Sequence, residues 1–267
     1  MVETAFLGTG KMASAIAHGL IAARILSPDE MACLGGNGTS ARRLAADTGI
    51  RLAKNVDDLL ARADVLVLAC KPQQFALLDP RLCELTAGRL VLSVLAGFTT
   101  ERLSTLFGKA RGIAAIMPNT PAQVRAGITA WTAPESLAND DARTVEKYFG
   151  ALGKVRRMDA ALMNTVSAAS GSGPGFFFEI VHAFERSVEK TGLSPDDAHL
   201  FVRETFIGAA KLLEQTGLSP EALRNAVTSP NGSTFAGLRV LEHHGLHNIF
   251  EEVVRAAIAR SVELGKM

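Results

Sequence analysis

Short apolar runs alternate with amphipathic stretches from the start of the chain to about residue 155. Thr4 to Leu7, Met31 to Leu34, Val65 to Ala69, Leu90 to Val94 and Ile113 to Met117 read as strands, too short and too uniformly apolar for surface helices. Between them Ala13 to Ala23, Thr39 to Thr48 and Asp57 to Ala61 carry apolar residues at helical spacing. This alternation is the signature of βαβ units around a parallel sheet, with Thr129 to Thr132 and Lys154 to Arg157 as further strands at its edge. The half is therefore expected to be an open, doubly wound sheet.

From about Asp159 the strand signal disappears. Phe177, Ile180, Val181, Phe184 and Val188 recur at helical spacing, as do Phe201, Thr205, Ala209 and Leu212. Ser194-Pro195 and Ser219-Pro220 are helix starts, and Gly192 and Gly217 before them are candidate C-caps. The expected division is a sheet domain over residues 1–158 and an all-α domain of five or six helices over 159–267. Small residues along Ile207-Gly208-Ala209-Ala210 suit close helix packing, within one chain or across a dimer. One stretch breaks the helical pattern: Val227-Thr228-Ser229-Pro230-Asn231-Gly232-Ser233-Thr234, where Pro fixes φ, Asn-Gly tolerates positive φ, and the helix restarts at Ser233.

Composition narrows the partner. With 48% hydrophobic and 21% charged residues and a net charge of +1, nothing points to nucleic acid or to a membrane, so a small molecule is the expected ligand. Cys33, Cys70 and Cys83 form no CxxC and no even set, which fits a reducing, cytoplasmic setting. The apolar opening is interrupted by Lys11 and His18 and has neither a basic leader nor a cleavage signal. His243, His244 and His247 lack carboxylate or Cys partners at ligand spacing, so no metal site is expected.

The first turn carries candidate chemistry. Gly8-Thr9-Gly10-Lys11-Met12-Ala13 is a G-x-G-x-x-A fingerprint between a strand and a helix, where Gly8 allows the tight turn and Gly10 lets backbone approach a pyrophosphate. After the second strand come Gly35, Gly36, Asn37 and Gly38, with no acid to accept from a ribose 2′-hydroxyl, and then Arg42 and Arg43. NADPH is thereby favoured, with NADH the alternative. Ligands sit beyond the carboxyl ends of such strands, which adds Ala69, Cys70, Lys71 and Pro72, then Ala96 and Gly97, then the stretch around Asn119.

With these pieces the chain resembles the pyrroline-5-carboxylate reductases, through Gly8-Thr9-Gly10-Lys11-Met12, Lys71-Pro72-Gln73, Met117-Pro118-Asn119-Thr120-Pro121, Ser170-Gly171-Ser172-Gly173-Pro174 and the break at residues 227–234. The resemblance implies an α/β Rossmann-type N-terminal domain and an all-α C-terminal dimerisation domain. It implies reduction of 1-pyrroline-5-carboxylate to L-proline by a homodimer, in some cases assembled further. Ser229, Pro230, Asn231, Gly232, Ser233 and Thr234 would hold the imino acid, with Thr234 near the ring nitrogen. Ser172, Gly173, Pro174 and Asn119 would line the site, and Asn55 would touch the cofactor. The family's usual Pro-Gly-Gly is Pro230-Asn231-Gly232 here, its Asn-Arg pair is Gly35-Gly36, and acids ahead of the Ser-Gly-Ser-Gly-Pro run are replaced by Ala160 and Asn164.

The chemistry agrees with such a sparse site. An imine nitrogen can be protonated before hydride arrives, so its reduction needs little general-acid power and is served mainly by positioning. Two other readings remain in the sequence: a two-domain hydroxy- or keto-acid dehydrogenase, and a dinucleotide-binding protein without turnover. The first requires a Lys on the opening long helix of the second domain, and Phe176 to Arg186 contains none.

Overall fold

Eight strands form one sheet in the order β3-β2-β1-β4-β5-β6-β7-β8. They are β1 (Glu3–Leu7), β2 (Met31–Leu34), β3 (Arg51–Leu52), β4 (Ala63–Leu68), β5 (Leu90–Ser93), β6 (Gly112–Met117), β7 (Gly127–Thr132) and β8 (Gly153–Arg157). The computed structural model describes residues 3–36, 38–71, 74–75 and 78–266. Strands β1 to β6 pair in parallel, β7 runs antiparallel to β6, and β8 is parallel to β7. Strand order reverses between β1 and β4, which opens a ligand crevice at their carboxyl ends.

Helices α1 (Lys11–Ala22), α2 (Ser40–Thr48), α3 (Val56–Leu60), α4 (Leu82–Leu85), α5 (Thr100–Leu106) and α6 (Asn139–Gly150) accompany the sheet. They cover both of its faces, so the strands show continuous apolar runs instead of alternation. Phe6, Val65 and Val67 pack with Ile16, Leu20 and Phe149 on one side. Ala5, Leu7, Leu66 and Leu68 pack with Leu103 and Phe107 on the other. Successive residues of β1 thus feed opposite cores, and all five are buried.

Glu3 is among them. Its carboxylate pairs with Arg51 at 2.8 Å and with Arg62, and Arg51 continues to Asp58 at 2.7 Å. Burial alone would raise its pKa, but the hydrogen bonds and charges of the two guanidinium groups outweigh that and hold it below the usual carboxylate range. Trp131 in β7, the chain's single Trp, is fully buried, with the Arg157 guanidinium 5.0 Å from its ring centroid. Its Nε1 has no hydrogen-bond partner among the described residues.

Beyond the sheet come α7 (Met163–Val166), a single π-helical turn at Ser167–Gly171, α8 (Gly173–Glu189), α9 (Pro195–Thr216), α10 (Pro220–Ala226), α11 (Ser233–His243) and α12 (Leu246–Lys266). Ser194 and Ser219 cap α9 and α10 by accepting from the N–H groups of Asp197 and Ala222, and Gly217 ends α9 in the left-handed region. The chain divides into two compact units, Met1–Ser172 with Ala257–Met267, and Gly173–Ala256. The boundary expected after residue 158 therefore falls later, because α7 packs on β7. The end of α12 also belongs to the first unit, where Ser261 Oγ donates to Asn164 Oδ1 at 2.8 Å.

In the second unit Phe206 meets Phe177 and Phe184 edge to face. Among its described residues only Ala198 and Val202 are buried apolar residues, while Phe178 and Phe201 are each 61% exposed.

Candidate active site

β1 stops at Leu7 because the next residue must turn sharply against β4. Gly8 has φ of 102°, and a Cβ there would lie 2.2 Å from the Cys70 nitrogen and 2.3 Å from the Ala69 carbonyl carbon. The turn is tied to both neighbours: Gly8 N donates to Leu34 O, and Ala69 N to Leu7 O, each at 2.8 Å. Gly10 then caps α1 with no side-chain partner, and among the described residues a Cβ on it would meet nothing within 4 Å. The first intrahelical bond at this end is Ser14 N to Gly10 O, so the N–H groups of the opening turn remain for an anion.

A cleft of about 620 Å³ lies over this turn, lined by Gly8, Thr9, Gly10, Gly35, Gly36, Ala69, Cys70 and Lys71. Burial pushes the Cys70 thiol up, leaving a neutral wall. A cradle with an open Cβ direction, free helix N–H groups and a lining in which Lys71 stands with one carboxylate, Asp79, fits a dinucleotide pyrophosphate.

Other expected cofactor residues are placed differently. Lys11 borders a second, polar cavity of about 280 Å³ together with Thr9, Ser40 and Arg43. Arg42 is exposed and lines neither cavity, and its neighbour Arg43 has the better register. Met12 packs partly buried against the core. Asn55 caps α3 by accepting from Asp58 N at 2.8 Å, while Val56 lines the cleft. Ala96 is exposed, and Gly97, with φ of 81°, opens on a third cavity of about 280 Å³ beside Met117, Asn164 and Ser261. Asn37, Pro72 and Gln73 lie outside the described residues.

The expected substrate residues fall in three places. Asn119, buried just past β6, accepts from Ile128 N at 3.0 Å and so holds the start of β7. Ser172 closes the π turn, donating its N–H to Ser167 O at 2.9 Å, and Gly173 and Pro174 begin α8. Sequence reasoning missed that turn; its only local signal is the small-residue run Ser167-Ala168-Ala169-Ser170-Gly171. Turns of this kind often mark functional sites.

The third place is the break between α10 and α11. Gly232 N donates to Ser229 O at 3.0 Å, and Asn231 adopts φ of 59°. A Cβ on Gly232 would lie 2.4 Å from Ser229 Oγ and 3.2 Å from Ser229 O, so a larger residue there would have to turn the Ser229 hydroxyl aside. Gly232 caps α11 without a side-chain bond, and Ser229, Ser233 and Thr234 expose their side chains. N–H groups of a helix start beside three hydroxyls are suited to a small carboxylate.

The chain matches known proteins along its whole length. A family model described as pyrroline-5-carboxylate reductase dimerisation matches residues 160–264, and one described as NADP oxidoreductase, coenzyme F420-dependent, matches residues 3–97. A pyrroline-5-carboxylate reductase of Synechocystis sp. is 35% identical over 268 residues, 99% of each chain. One of Arabidopsis thaliana is 30% identical, covering 99% of this chain and 96% of its own. A solved pyrroline-5-carboxylate reductase of Coxiella burnetii superposes with a TM-score of 0.91 at 33% identity, over 100% of this chain and 99% of the other. The chain belongs to the pyrroline-5-carboxylate reductase family.

Proposed function

We propose that the protein reduces 1-pyrroline-5-carboxylate to L-proline with NADPH, as a cytoplasmic homodimer. The observation that carries this reading is the turn at residues 229–234, which offers helix N–H groups and hydroxyls, in a chain that also carries a dinucleotide cleft. When bound, the cofactor supplies a hydride to the imine carbon, and the ring nitrogen gains a proton, giving the secondary amine.

The chain's own groups bind and orient. The N–H groups at the start of α1 and the Gly8 to Gly10 backbone would take the pyrophosphate. The N–H groups at the start of α11, with Ser229 and Ser233, would hold the substrate carboxylate, and Thr234 Oγ1 would contact the ring nitrogen. The family resemblance also assigns Ser172, Gly173, Pro174 and Asn119 to the substrate. A pre-protonated imine loses positive charge as hydride arrives, so no Lys or His need stand over it. The match of residues 160–264 to a dimerisation model and the exposed Phe residues of α8 and α9 support a homodimer, and the unpaired cysteines support a reducing compartment. No described helix is long and apolar enough to cross a membrane.

The test follows NADPH absorbance at neutral pH with the cyclic imine. Turnover above the enzyme-free blank is expected; oxidation of NADPH with a keto acid but not the imine would replace this reading.

A further inference from the structure

Nucleotide choice in a doubly wound sheet turns on what stands beyond β2. An acid there accepts from the 2′-hydroxyl of NADH and repels the 2′-phosphate of NADPH. Here the position holds Gly35 and Gly36, and the two glycines are not equivalent. A Cβ on Gly35 would lie 2.6 Å from Thr9 Oγ1 and 3.0 Å from Ala41 Cβ. That hydroxyl is not the end of a long, pliant side chain: Thr9 is 6% exposed, β-branched, and held by Ser40 Oγ at 2.8 Å. Among the described residues nothing lies within 4 Å of the Cβ position of Gly36. A side chain at 36 would enter open cleft, whereas one at 35 would collide.

We infer that the hydroxyl pair of Thr9 and Ser40 sets the nucleotide specificity, by filling the space an acidic side chain at position 35 would need. The inference rests on the dinucleotide-dependent reading above and adds the residues that choose between its two cofactors. The surroundings favour the additional phosphate. α2 has no acid in its first turn, and Thr39 makes no side-chain capping bond. Lys11 and Arg43 border the polar cavity beside Ser40, against the single carboxylate of Asp47 among its lining residues. The Gly-rich turn thereby does two things: Gly8 and Gly10 make room for the pyrophosphate, and Thr9 between them excludes the residue that would select NADH.

The experiment titrates purified full-length protein with NADPH and with NADH, following cofactor fluorescence without imine substrate, alongside thermal unfolding of each variant. Wild type is expected to bind NADPH at least about tenfold more tightly than NADH. Gly35→Asp should weaken both nucleotides, and combining it with Thr9→Ala should restore NADH binding while NADPH stays weak. Gly36→Asp, which has room, should lower NADPH affinity about tenfold and leave NADH within about threefold. If Gly35→Asp does not fold, the double variant and Gly36→Asp decide. The inference is overturned if Gly35→Asp alone binds NADH as well as the double variant does, if Thr9→Ala gives no recovery, or if Gly36→Asp leaves the preference intact. Equal binding of both nucleotides by wild type would remove it and leave the reductase reading standing; binding of neither would remove the reductase reading itself.

Discussion

The two compact units solve the problem of apolar surface in opposite ways. In the sheet unit, β1 and β5 bury every residue, and helices stand over both faces. In the helical unit, Phe177, Phe178, Phe184, Leu200 and Phe201 are exposed, and Ala198 and Val202 are its buried apolar residues among those described. Burying one such side chain contributes about 1.5–3 kcal/mol, so an unpartnered face of this size is a large unspent driving force. The sheet unit has the makings of a self-sufficient fold, while the helical unit, which matches a dimerisation model, leaves apolar surface for the second copy proposed above.

Phe178→Glu tests that contrast most severely. A charge in the buried core of a dimer should weaken association by about 4 kcal/mol, giving a monomer by sedimentation, with nucleotide binding by the sheet unit retained. A mass unchanged from wild type would take Phe178 out of the interface. Gly8→Ala strikes the other unit: the Cβ overlaps backbone at a φ of 102°, and about 3 kcal/mol of stability should go together with nucleotide binding, read by melting and by fluorescence titration.

Smaller effects sharpen the division of labour. Thr234→Ala should lower kcat/KM about tenfold with NADPH affinity unchanged, and unaltered steady-state kinetics would end the role given to that hydroxyl. Glu3→Gln should cost about 1 kcal/mol at neutral pH, since Arg51 and Arg62 stay partly solvated when their partner is neutralised. Because the folded carboxyl is held below its ordinary value, its stabilisation is present above the unfolded value and lost as pH falls through the folded one. Wild type and variant should therefore converge in melting temperature on acidification.

Much of this could be read from sequence where one physical signal dominated. The strands from Met31 and Leu90 start where the apolar runs start, and the Ser-Pro pairs give the starts of α9 and α10. The break before Ser233 is visible because Pro230 and Asn231-Gly232 admit few backbone conformations, and Asn231 does adopt positive φ. β3 escaped notice because two residues, one an Arg committed to Glu3 and Asp58, show no periodicity. The side-chain duties of Asn55 and Asn119 depend on Asp58 N and Ile128 N, and the latter pairing bridges separate elements that no local pattern links. The difference between Gly35 and Gly36 is likewise a matter of what stands opposite each, not of the residue itself.

Trp131 gives the molecule a built-in spectrometer. Being the only indole, sealed in the sheet core with its Nε1 unpaired among the described residues, it should emit at short wavelength and shift to the red only when that core admits water. Far-UV dichroism is weighted instead toward the long helices α8, α9 and α12. Following both signals in one denaturant series distinguishes a single cooperative transition from stepwise loss of the helices, since coincident curves are the mark of the first.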